Sequence, residues 1–313
     1  MYKRQLEYCV EQNVGMTAWT IGPFLTRESL LDGGKLKRVH RGPYVQTFRS
    51  TRMVSSTKLE LDITLRQGSP RVEYRLRVDW REMGDIENGT PNLRVRFPLA
   101  VEDPAPRYEI PFGSIRRDLF NGEEVSAQRW ADLSEADGQG VALVNSSKYG
   151  FSLEGDTLTM TLLRASIDPD PLPDIGEHLI EYALAPHGEG WAISDSVQAG
   201  EEMNIPLIVT SCGFQEGDLP LVQSLVSVEP SNVRLAALKK SQAGEALIAR
   251  LVEVDGHAVD ARIVLAGGLV TGAARAVEVD TLERPLETNR ASMEGNALTV
   301  TVPAFGISAV RIG

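Results

Sequence analysis

Cysteine is nearly absent: two residues, Cys9 and Cys212, serve a chain of 313. They stand far apart and outside any C-x-x-C spacing, which argues for reduced thiols acting as small buried hydrophobes and for a cytoplasmic protein. Histidine is scarce as well, and His40, His178, His187 and His257 fall at no spacing that would gather a metal, so no metal is expected in the chain. The longest apolar run, Ile263–Val270, is too short to cross a bilayer, and the N-terminus lacks the apolar core of an export signal. No membrane segment is expected. Basic residues number 32 against 43 acidic ones, a formal charge of −11 with pI near 5.0. The basic surface that nucleic acid or an anionic membrane requires is therefore missing. Nothing resembles a βαβ unit, a glycine-rich phosphate loop or a nucleophile elbow.

What the chain does have is alternation. Leu59, Leu61, Ile63 and Leu65 interleave with Glu60, Asp62, Thr64 and Arg66. Gly68-Ser69-Pro70 breaks the run, and Val72, Tyr74, Leu76, Val78 and Trp80 then interleave with charged residues. That is a period-two hairpin with one wet face. The pattern returns at Leu93–Leu99 and at Leu158, Met160 and Leu162. Near the N-terminus, Leu6, Cys9 and Val10 suit a helix face while Arg4, Leu6, Tyr8 and Val10 alternate; the strand reading is taken because the rest of the chain is strand-like. The economical fold is all-β, a large antiparallel double sheet.

At this length two cores are expected. The pattern loosens from Ile205 to Ser227, which places a boundary after residue 225 and divides the chain into 1–225 and 226–313. The second part reads as a small β-sandwich of six short strands, at 233–238, 246–254, 257–265, 274–279, 297–302 and 307–312. Asp255-Gly256 sits between two of them as a tight hairpin turn would.

The most distinctive stretch is 148–191. A strand ends in Leu162-Leu163-Arg164, and Pro169, Pro171 and Pro173 then force the chain out of its sheet. A second strand is entered through Asp174, Gly176 and His178. Stiff polar loops on a rigid scaffold are where binding residues collect. Arg164, Asp174 and His178 are the candidates: a guanidinium suits vicinal hydroxyls or a carboxylate. The competing structural roles are an ion pair of Arg164 with Asp168, Asp170 or Asp174, an Asx turn at Asp174, and a loop hydrogen bond from His178. Trp80 and Trp130 read as core rather than as sugar platforms.

The phrases YGFSLEGDTLTMTLLR, DPDP, DIGEH and EYALAPH resemble the C-terminal β region of glycoside hydrolase family 38, the retaining α-mannosidases. Upstream, GMTAW (Gly15–Trp19), VDW, FPL, YEIPFGSIRR, RWADLS and GVALVNSSKYG extend the likeness. Downstream, LKKS, ARLVE and DTLE do the same, while Gly306 stands where an acidic residue is expected. The resemblance implies a galactose mutarotase-like β-supersandwich followed by a small terminal sandwich. It also implies that the catalytic carboxylates and the zinc ligands lie in an N-terminal barrel outside this chain. The chain is then expected to hold no catalytic residue and no cofactor, and to partner an α-mannosidase catalytic domain or subunit and its α-mannoside, with Arg164 reaching toward the sugar. Homo-oligomerisation is left open. A retaining glycosidase needs two carboxylates about 5 Å apart, and no such pair stands out here. Two other readings remain: a free-standing carbohydrate-binding β-sandwich, against which an aromatic content of 6% counts, and a mutarotase-like sugar epimerase, which needs a paired acid and base such as His178 with a glutamate.

Overall fold

The computed structural model describes residues 6–30, 35–218, 220–266, 268–270 and 274–313. Strands dominate. In order they are β1 (Leu6–Glu11), β2 (Phe24–Ser29), β3 (Lys37–Arg41), β4 (Val45–Val54), β5 (Thr57–Arg66), β6 (Val72–Trp80), β7 (Thr90–Pro98), β8 (Ala105–Ile110), β9 (Gly113–Arg116), β10 (Asn121–Ser126), β11 (Trp130–Ser134), β12 (Gly140–Asn145), β13 (Gly150–Glu154), β14 (Thr157–Arg164) and β15 (Gly176–His187). After the helix α1 (Ile193–Asn204) come β16 (Val226–Glu229), β17 (Val233–Lys240), β18 (Leu247–Glu253), β19 (Val259–Leu265), β20 (Ala276–Val279), β21 (Ser292–Glu294), β22 (Ala297–Val302) and β23 (Ile307–Ile312). The N-terminal segment is a strand, as its alternation predicts, although Arg4 lies outside the described residues.

Two compact units emerge, one of Met1–Ile110, Ile115–Trp191 and Gln198–Pro206, the other of Pro111–Ser114, Ala192–Val197 and Leu207–Gly313. In the larger unit a six-stranded sheet runs β10-β13-β14-β7-β1-β2 and a nine-stranded sheet runs β3-β4-β5-β6-β15-β12-β11-β8-β9. β5 and β6 pair antiparallel from Lys58 opposite Asp79 to Leu65 opposite Val72, the hairpin that the alternation predicts. Leu59, Leu61, Leu76 and Val78 from the nine-stranded sheet share one core with Leu93, Val95, Phe97, Leu158 and Met160 from the other. Trp80 and Trp130 are both buried, so neither offers a sugar platform. Gly200 of α1 lies over Trp130, where a Cβ would stand 3.1 Å from the indole. Nothing in the sequence pattern announces α1, because apolar residues are sparse between Ile193 and Asn204.

In the smaller unit two four-stranded sheets, β16-β19-β22-β21 and β17-β18-β23-β20, enclose a second core of Leu251, Ile263, Leu298, Val300 and Val310. The six expected strands are present with ends shifted by a residue or two, and β16 and β21 add to them. The expected hairpin at Asp255-Gly256 is corrected: β18 and β19 lie in different sheets, so this connection crosses the sandwich. Cys9 is buried but Cys212 is exposed, against the expectation that both are buried.

The units divide at Pro206/Leu207, upstream of the boundary expected after residue 225. With that expected boundary, limited proteolysis should cut first between about 213 and 232, or within Ile167–Ile175, because exposed segments with few crossing contacts are cut before paired strands. Early cleavage inside β6 would contradict it.

Candidate functional site

Alternation along β14 sends Leu158, Met160 and Leu162 to the core, and continued unbroken it would send residue 164 there as well. A bulge against β7 prevents this, with Thr161 opposite Arg94, Leu163 opposite Leu93 and Arg164 opposite Asn92. One extra residue reverses the facing of every later position in the strand. Leu163 takes the core position, and Arg164 emerges on the other face beside Glu11 of β1.

There the guanidinium meets Glu11 fork to fork. Nε donates to Oε1 at 2.8 Å and Nη2 to Oε2 at 2.7 Å, while Asn92 Nδ2 also donates to Oε1 at 2.7 Å. The Glu11 side chain is fully buried and that of Arg164 is 14% exposed. Charge-assisted, two-point contacts of this kind fix geometry as well as energy. The remaining donors reach the 12–20 loop: Nη1 to the Thr17 carbonyl and Nη2 to the Thr20 carbonyl at 2.6 Å. The ion pair weighed for Arg164 with Asp168, Asp170 or Asp174 is thus replaced by one with Glu11. The arginine touches Asp174 through its backbone N–H, which donates to Oδ2 at 3.2 Å.

The same segment laces two loops together. Thr17 Oγ1 accepts from Ile167 N at 2.8 Å and from Asp168 N at 3.1 Å, and Ala18 N donates to the Asp168 carbonyl at 2.9 Å. Close approach beneath them demands glycine at position 89, where φ is +95° and a Cβ would lie 2.2 Å from the Glu11 carbonyl oxygen. The GMTAW loop and the proline-rich loop therefore form one braced rim. Asp174 and His178 belong to it: His178 Nε2 bonds the Asp174 carbonyl at 2.6 Å, the local role weighed for it. A glutamate partner that would make His178 half of an acid–base pair is not among its hydrogen bonds. Burial pushes the Lys148 ammonium below its usual pKa, and the neighbouring Asp174 carboxylate opposes that shift.

Beside the rim, Met83–Asn88, Ile167 and Pro171 line an open depression of about 550 Å³. Met16, Trp19, Met83, Ile86, Leu172 and Ile175 are exposed on these loops. Among the described residues no three of His, Cys, Asp and Glu come together to hold a metal.

A large antiparallel double sheet followed by a small sandwich, with its braced loops on one rim, defines a two-part all-β region. The glycosyl hydrolases family 38 C-terminal domain matches residues 2–172, and the family 38 C-terminal beta sandwich domain matches residues 232–309. The chain belongs to glycoside hydrolase family 38. Mouse alpha-mannosidase 2C1 is 31% identical over 267 residues, covering 82% of this chain and 24% of the relative; the human protein of that name is 32% identical over 263 residues, covering 80% and 24%. A crystal structure of a family 38 protein from Enterococcus faecalis superimposes over 99% of this chain and 40% of its own, with a TM-score of 0.78 at 14% identity. The chain thus spans about a quarter of the length of these curated relatives.

Proposed function

We propose that the chain is the non-catalytic C-terminal β portion of a cytoplasmic retaining α-mannosidase, and that its braced rim faces the catalytic portion and completes the mannose site there. The observation that supports this is the Arg164–Glu11 clamp, which fixes two loops against each other on the face that also carries Trp19 and the open depression. Arg164 acts chiefly by position, since most of its N–H donors are engaged within the chain. Asp174 keeps Oδ1 without a hydrogen-bond partner among the described residues, and His178 keeps Nδ1; these are the groups that reach a sugar hydroxyl. Zinc and the catalytic carboxylates belong to the catalytic portion.

The test is reconstitution. Purified chain, with or without zinc, should not hydrolyse p-nitrophenyl α-mannoside, and activity should appear or rise when the catalytic portion is supplied. Zinc-dependent turnover by the rigorously purified chain would overturn the assignment.

A further inference from the structure

Residues 206–218, PLIVTSCGFQEGD, contain no helix or strand, and among the described residues none of them makes a backbone hydrogen bond. Leu207, Ile208 and Phe214 are 94%, 95% and 95% exposed, with Val209, Leu221 and Val222 equally open. Isolated exposed apolar side chains are ordinary, but a contiguous run of them marks a surface that another polypeptide covers. Leu207, Ile208 and Val209 are apolar on both faces of an extended chain, Ile208, Val209 and Thr210 are β-branched, and no charge enters before Glu216. That is the pattern of a strand buried on both sides. Its free N–H and C=O groups ask for a neighbouring strand, since buried backbone must be paired.

We propose that residues 206–218 are a docking strand that adds to a sheet edge in the catalytic portion of the enzyme and is buried there on both faces. This rests on the function proposed above. The relatives supply the reason for choosing that occupant: most of the length of mouse alpha-mannosidase 2C1 lies outside its match to this chain, so most of the enzyme's surface is still to be accounted for. A second copy is disfavoured because each chain carries a charge of −11.

The test uses this chain and, as the probe, the part of mouse alpha-mannosidase 2C1 outside the matched region, mixed and followed by size-exclusion chromatography with light scattering and by amide hydrogen exchange. A complex should form, and amides 207–214 should exchange at least about 100-fold more slowly in it than in the free chain. The double variant Ile208→Asp/Phe214→Asp should weaken the complex at least about tenfold, while the free variant unfolds within about 2 °C of the parent because these side chains are almost wholly exposed in it. A complex that forms with unprotected strand amides and unchanged affinity for the double variant overturns the docking strand and leaves the family function standing. Absence of any complex overturns the proposed function and the strand with it. Protection that arises by self-association of the chain alone assigns the strand to a second copy and equally overturns the proposal.

Discussion

Replacing Arg164 with alanine is expected to destabilise the larger unit by about 3–5 kcal/mol, because removing one partner of a buried ion pair leaves the other charge uncompensated. Glu11 would retain Asn92 as a donor, but the two-point guanidinium contact and both loop carbonyl contacts would go. Arg164→Lys should recover only part of the loss, since an ammonium cannot span both carboxylate oxygens and two carbonyls from one position. The paired change Glu11→Leu/Arg164→Met should cost less than Arg164→Ala, about 1–3 kcal/mol, since no buried charge is left uncompensated but Asn92 Nδ2 and the Thr17 and Thr20 carbonyls lose their partners. Urea unfolding of the three variants measures this. A loss below about 1 kcal/mol for Arg164→Ala would mean that the clamp does not hold the rim together. In the reconstituted enzyme, the Leu/Met pair separates stability from function: it leaves no unpaired charge but gives up the loop carbonyl contacts, so it should stay folded and still lose kcat/KM.

Much of this architecture is legible in the sequence. Period-two alternation finds β5, β6, β7 and β14, because in each of them apolar side chains line the core at every second position. Arg164 stands out by residue type and by the prolines after it, yet its partner does not. Glu11 lies 153 residues away, and no spacing rule links an arginine to a carboxylate on a non-adjacent strand of the same sheet. The bulge at Thr161–Leu163 is equally silent, since Leu162 and Leu163 are both apolar and both join the core, so the sequence does not mark where the alternation breaks. The GMTAW phrase is visible as a motif, but its purpose, presenting the Thr17 and Thr20 carbonyls to Arg164, needs three dimensions. The error at Asp255-Gly256 has a different cause. A glycine between two apolar runs fits a two-residue hairpin and a sheet-to-sheet crossing alike, and only strand pairing distinguishes them. The actual arrangement is set by a residue that alternation reads as one more strand position, Glu253.

Glu253→Gln is therefore expected to destabilise the smaller unit by about 3 kcal/mol at neutral pH, the order of cost for leaving buried donors of this kind unmatched. The Glu253 side chain is wholly buried, without a basic side chain among its hydrogen-bond partners. Its Oε1 accepts from Asn232 Nδ2 and Asp255 N at 2.8 Å each, and its Oε2 from Gly256 N at 2.8 Å, His257 N at 3.1 Å and Phe305 N at 2.8 Å. Gly256 must stay glycine for this turn, with φ at +86° and the Phe305 ring 2.5 Å from where a Cβ would stand. A glutamine has one acceptor oxygen and must aim its NH2 group at two or three N–H donors whichever way it turns. Burial by itself would raise the carboxyl pKa; the N–H groups of Phe305, Asp255 and Gly256, with Asn232, outweigh it and hold the group below its ordinary 4.5. Linkage fixes the sign: a pKa depressed in the folded state gives stability that is complete above the unfolded value and is lost as pH falls through the folded one. Parent and variant should differ fully at pH 7 and converge as the pH drops below the ordinary carboxylate range. Urea unfolding of both proteins across that interval decides the matter, and a gap that stays constant with pH would show that the Glu253 charge does not hold the crossing between the two sheets.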